Sequence, residues 1–201
     1  MQHRNLTKNL FTTDQTLSRS YHDDSTKKIV FISYRRTVCD RYEARKCAEI
    51  LEDIDGLHYW LDEDDKCMQQ AHAENDDPQK ALCIEQGLDV SSALLGIIGP
   101  GTFDSPWIPY EIGGARGRHS YARHIEIPNP RIAHLIHGVN PSKVPAFVGL
   151  GTPLRSRDEV KLWAECLVAG LQNEYISPAK KQELQGIYTQ NTQDLKLAPI
   201  H

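Results

Sequence analysis

Short apolar runs alternate with longer stretches of helical spacing along this chain. Ile29 to Tyr34 opens the series, β-branched at its start, and Leu57–Leu61, Ala93–Ile98 and Arg131–His137 repeat the pattern. Runs of about four to eight apolar residues fit strands that are buried on both faces. A fifth strand is expected at Ala146–Leu150. Between the runs the period changes. Asp40–Ile54 carries Tyr42, Ala44, Cys47, Ala48, Leu51 and Ile54 on one helical face, and Asp55-Gly56 ends it. A second helix is predicted from Pro78 to near Gln86 and a third over Ile108–Arg116. The longest spans Ser156–Ile176, with Val160, Trp163, Ala164, Leu167 and Leu171 as its stripe and Ser156 and Glu159 in capping-box spacing. Gly99-Pro100-Gly101 stops the third strand abruptly.

Strands alternating with helices imply βαβ units and a parallel sheet. The element count fits an α/β, flavodoxin-like three-layer sandwich with five strands in the order 2-1-3-4-5. The predicted domain covers residues 27–177, with a polar, flexible arm at 1–26 and a loose polar tail at 178–201. Hydrophobic residues make up 39% and charged residues 25% of the 201, as a folded core with a polar surface requires. A net charge of −4 gives no electrostatic footprint for nucleic acid. No apolar run reaches the roughly 20 residues that cross a bilayer, and the first residues lack the apolar segment of a secretory signal. The five cysteines, Cys39, Cys47, Cys67, Cys83 and Cys166, are widely spaced without a CxxC pair. Neither a metal site nor a disulfide framework is expected, and a reducing, cytoplasmic setting follows.

Ligands of open α/β sheets bind outside the carboxyl ends of the strands. KKIVFISYRR, Lys27 to Arg36, ends there in polar residues, and ALLGIIGPGTFDSPWIPYEIGGA, Ala93 to Ala115, runs from that rim into a helix. The second segment delivers one carboxylate, Glu111, flanked by Trp107 and Tyr110. Arg35 and Arg36 place two cations, suited to hydrogen-bonding a polar or anionic ligand, where the first strand ends. Plain readings compete with each assignment. A glutamate early in a helix is favoured by the macrodipole alone, and Trp107 can be a packing aromatic. The acidic run Asp62–Asp65 lacks the spacing of a calcium loop. The histidines show no paired-ligand spacing, and Gly96, Gly99 and Gly101 do not make a dinucleotide fingerprint.

Three boxes carry a family likeness. FISYRR on the first strand, WLDEDD after the second and SPWIPYE after the third resemble, in order and spacing, those of Toll/interleukin-1 receptor (TIR) domains, over residues 27–176. The NAD-cleaving members of that family have a W-x-x-x-E element, here Trp107 to Glu111. The resemblance implies catalysis by Glu111, Trp107 near the nicotinamide, and substrate contacts from Ser33, Tyr34, Arg35, Arg36, Asp62 and Tyr110. NAD+ would be substrate rather than cofactor, and the product ADP-ribose or a cyclic isomer acting as a signal in antiviral defence. The implied partners are other copies, through TIR–TIR contacts, and a downstream effector that senses the product. The segment Asp62–Asp77 takes the place of the family's BB loop. With seven acidic residues against Lys66 it is expected to be mobile and to leave Glu111 open to water. Two rival functions are a non-enzymatic TIR interaction module and an enzyme like the nucleoside deoxyribosyltransferases.

Overall fold

A computed structural model describes residues 27–119, 130–172 and 175–197. Five strands form one all-parallel sheet: β1 (Lys28–Ser33), β2 (Leu57–Trp60), β3 (Ala93–Ile98), β4 (Ile132–Ile136) and β5 (Thr152–Leu154). Their spatial order is β2-β1-β3-β4-β5, the α/β flavodoxin-like arrangement expected from the pattern. Among the described residues six α-helices accompany them: α1 (Val38–Glu52), α2 (Lys66–Ala73), α3 (Asp77–Val90), α4 (Trp107–His119), α5 (Arg157–Leu171) and α6 (Pro178–Asp194).

The two-residue period of the strands sorts side chains between two cores. Val30, Ile32, Leu95, Ile97, Ala133 and Leu135 pack with α1 and α5. On the other face Phe31, Leu94, Ile98, Ile132 and Ile136 meet α2, α3 and α4. Trp60 stacks on Phe31 with ring centroids 4.4 Å apart. Gly87 lets α3 approach that indole, since a Cβ there would sit 2.6 Å from the Trp60 ring. Trp163 is buried, and its indole N–H donates to Pro130 O at 2.9 Å.

Four expectations change. Ala146–Leu150 is a 3-10 helix, and the fifth strand is Thr152–Leu154. Pro153 lies in that strand at the sheet edge, where a missing backbone donor is tolerated. Residues 178–194 are helical rather than loose. α6 covers β5 and α5, and its buried Asn191 donates to Pro153 O at 2.9 Å and to Glu159 Oε2 at 2.8 Å. A polar helix can dock this way because what it satisfies is an exposed strand edge. The acidic stretch is not one loop, since α2 occupies its middle, capped by Asp65, which accepts from Met68 N. Finally, Cys67 of α2 and Cys83 of α3 form a disulfide with Cα atoms 5.9 Å apart, contrary to the expectation of unpaired cysteines. A sequence separation of 16 hides this pairing from spacing arguments. Among the described residues no helix is long and apolar enough to cross a membrane. The expected arm at 1–26 lies outside the described residues.

Candidate active site at the strand ends

Two periodicities bring the central pair together. Along β1 the alternation puts Ser33 on the same face as Ile29 and Phe31. Along α4 the spacing puts Glu111 on the sheet-facing stripe with Ile108, Ile112 and Ala115. The Ser33 hydroxyl donates to Glu111 Oε2 at 2.5 Å. Glu111 is 8% exposed. Burial pushes its carboxyl up to about 8, against the Ser33 hydrogen bond, and the nearby Asp62 charge adds to the rise. At neutral pH the group is therefore held mainly in its protonated form.

Asp62 joins this pair to the rest of the rim. It accepts from the Tyr34 hydroxyl at 2.6 Å and from Arg36 Nε at 2.7 Å. Burial, reinforced by the Asp62 charge, holds the Tyr34 phenol far above its ordinary range, so it stays a donor. The next acidic residues are neutralised from α1. Arg45 reaches Glu63 at 2.9 Å and Asp64 at 2.6 Å, and Arg41 pairs with Glu63. Within the Asp62–Asp77 segment the charges of Asp62, Glu63 and Asp64 are thus offset by arginines distant in sequence, and Glu111 is buried rather than open to water.

The other expected contact residues divide. Arg35 turns away to Gly101 O at 2.7 Å and to Asp104 Oδ2 at 3.2 Å. A Cβ at Gly101 would lie 2.1 Å from Arg35 Nη1, so a glycine is needed for this contact. Trp107 is half-buried against the α3–α4 core, with Tyr110 edge-on at 6.0 Å. Tyr110 is exposed, and its hydroxyl donates to Glu85 on α3. The structure therefore assembles Ser33, Tyr34, Arg36, Asp62 and Glu111, and leaves Arg35 and Tyr110 engaged elsewhere.

Sequence reasoning missed a carboxyl–imidazole contact at the same rim. Asp40, 1% exposed in the first turn of α1, has its Oδ1 2.7 Å from His137 Nε2 just past β4. Gly99 makes room, for a Cβ there would come within 1.9 Å of Asp40 Oδ1. No local spacing signals a pair 97 residues apart. His134 is a second surprise. It is fully buried with neither ring nitrogen bonded, lies beside Gly96, and burial pushes its pKa down to about 3. It is a neutral core residue. Among the described residues the group with metal-ligand character is Asp65, Cys67 and Cys83, whose ligand atoms lie within 4.8 Å of one another. The two sulfurs are bonded to each other, which removes them as thiolate ligands. No protein-family model matches this chain, and no curated protein matches it.

Proposed function

We propose that this protein is a TIR-type enzyme that cleaves the nicotinamide–ribose bond of NAD+, with Glu111 as the catalytic carboxyl. The observation that carries this reading is a buried glutamate, hydrogen-bonded to Ser33, at the carboxyl ends of β1 and β3. In a sheet of order 2-1-3-4-5 those strands flank the topological switch point, where such folds bind ligands.

One carboxyl is chemically sufficient. Nicotinamide leaves NAD+ as a neutral molecule, so no general acid is required. The group to stabilise is the ribosyl oxocarbenium ion, and a carboxylate facing it does so electrostatically. A cationic pyridinium approaching Glu111 favours its ionised form, so the substrate itself lowers the raised pKa. Asp62 supplies a second negative charge, already ordered by Tyr34 and Arg36. Water would then give ADP-ribose, and an internal nitrogen a cyclic isomer. A signalling role for that product, and assembly of copies through TIR–TIR contacts, follow from the box resemblance.

The test is chromatography of NAD+ incubated with the full chain. Wild type should release nicotinamide, and Glu111→Gln should lose about a hundredfold to a thousandfold in rate. Turnover of the variant within threefold of wild type would remove Glu111 from the mechanism.

A further inference from the structure

The Cys67–Cys83 pair stands beside the proposed site without being part of it. Cys83 is buried on α3 together with Ile84 and Leu88, inside the packed core. Cys67 lies in the first turn of α2, two residues past the Asp65 cap and five past Asp62. The bond therefore ties the start of α2, and with it the loop that carries Asp62, to a helix fixed by its own packing. The loop is also held by the Tyr34 hydroxyl on Asp62, by the buried Leu61 and Met68 on either side of it, and by ion pairs from Arg36, Arg41 and Arg45, whose side chains are each at least a third exposed. Exposed pairs of this kind hold weakly. The disulfide is the covalent tie on the segment that carries Asp62, whose charge acts on Glu111.

Its surroundings suit exchange. Cys67 is half-buried and Cys83 buried, so an incoming thiolate meets the Cys67 sulfur first. The Gln79 side-chain amide points at both sulfurs, 3.3 Å from Cys67 Sγ and 3.6 Å from Cys83 Sγ. An N–H donor there stabilises the thiolate that departs from Cys83. The other three cysteines are unpaired, Cys39 exposed and Cys47 and Cys166 buried.

We propose that Cys67–Cys83 is a redox-active site that accepts electrons from a dithiol reductant, and that its state sets access to the Ser33–Glu111 crevice. The second half rests on reading that crevice as a ligand site. One thiolate of the reductant attacks Cys67 Sγ and expels the Cys83 thiolate, which takes up a proton. The reductant's second thiol resolves the mixed disulfide, freeing the Cys67 thiol and leaving as a cyclic disulfide. Two electrons and two protons pass to the protein sulfurs. In the oxidised chain the Asp62 loop stays down and Glu111 stays covered; in the reduced chain α2 can move away from α3.

The experiment uses the full chain with and without a small dithiol. Denatured and unreduced, it should show three titratable thiols of the five cysteines, and all five after reduction. Backbone hydrogen exchange over 61–73 should rise about tenfold on reduction while amides at 84–88 hold. Cys67→Ser/Cys83→Ser should match the reduced chain without reductant, and nicotinamide release should be several-fold faster in the reduced form. Five thiols in the unreduced chain, one zinc ion bound per chain at Asp65, Cys67 and Cys83, or unchanged exchange would overturn the proposal. Equal nicotinamide release in both redox states would overturn the gating while leaving the NAD+ reading intact. Faster exchange with no release in either state would do the reverse, sinking the NAD+ reading and sparing the redox site.

Discussion

Replacing Glu111 with glutamine should make the fold more stable as pH rises. The folded chain holds a proton on Glu111 up to about 8, whereas the unfolded chain releases it near 4.5. Between those values the folded state binds one more proton, so raising the pH favours unfolding. The stability conferred by the protonated form is complete below 4.5 and is lost as pH rises through the folded value. Each pH unit in that window is worth about 1.4 kcal/mol, so the whole window amounts to roughly 4–5 kcal/mol, about 3 of it gone by pH 7. That is a large part of the roughly 5–15 kcal/mol that typically holds a domain together. Glutamine keeps the shape of the neutral carboxyl and an oxygen for the Ser33 hydroxyl, and it does not titrate. Urea denaturation followed by tryptophan fluorescence at pH 5, 6, 7 and 8 gives the difference between variant and wild type. Groups common to both chains, such as His134, cancel in that difference. It should move in favour of the glutamine chain by a few kcal/mol over this range. A difference flat to within about 0.5 kcal/mol would mean that Glu111 is hydrated or already ionised in the fold.

Ser33→Ala removes the interaction that lowers the Glu111 pKa, so the pH at which the stability loss levels off should move above about 8; an unchanged midpoint would show that the 2.5 Å contact is energetically idle. Trp163, 1% exposed in the α1–α5 core, should cost roughly 3–5 kcal/mol on truncation to alanine. Trp107→Ala should instead lower NAD+ cleavage per folded molecule at a smaller cost in stability, and a melting loss equal to that of Trp163→Ala with normal turnover would make Trp107 structural.

Sequence patterns reveal what is periodic and local in this fold. β1 to β4 appear as short apolar runs because they are buried on both faces, and β3 matches its expected limits. β5 is too short, and Ala146–Leu150 beside it is equally apolar, so the run was read in place of the strand. α6 carries few apolar residues; it docks with Leu184 and Ile187 against the core and with the buried Asn191 on a strand edge, too sparse a stripe for hydropathy to register. For the site, the boxes pointed to Ser33, Tyr34, Arg35, Arg36, Asp62, Trp107, Tyr110 and Glu111; hydrogen bonds join Ser33 to Glu111 and Tyr34 and Arg36 to Asp62, while Arg35 and Tyr110 are engaged elsewhere. The boxes could not show that Arg41 and Arg45, on a helix earlier in the chain, would quench the acidic loop. Nor could they show Asp40 against His137 or Cys67 against Cys83, pairs that exist only once the chain has folded back.

On the proposed NAD+ reading, the charge arrangement at the rim also sets which dinucleotide should be accepted. Asp62 is engaged by Arg36, and burial holds Glu111 mainly protonated at neutral pH, so among the described residues this pair offers neither a free cation nor a free carboxylate. A ligand bearing phosphates alone gains by taking Arg36 but strips Asp62 of its cationic partner, leaving only the Tyr34 hydroxyl on it. That raises the Glu111 pKa further and leaves the freed Asp62 charge to repel the phosphates. A ligand that also carries a cationic ring compensates for both effects, because the ring faces Asp62 and draws Glu111 into its ionised form. NAD+ has both ends; NADH has the phosphates, but its dihydronicotinamide is neutral. NAD+ should therefore lower the pH at which Glu111 ionises, whereas NADH should leave it in place or raise it. Repeating the pH–stability series on wild type with each dinucleotide reads this directly, with Glu111→Gln as the control that should respond to neither. An equal shift with NADH would mean that phosphate contacts, rather than the ring charge, open the site.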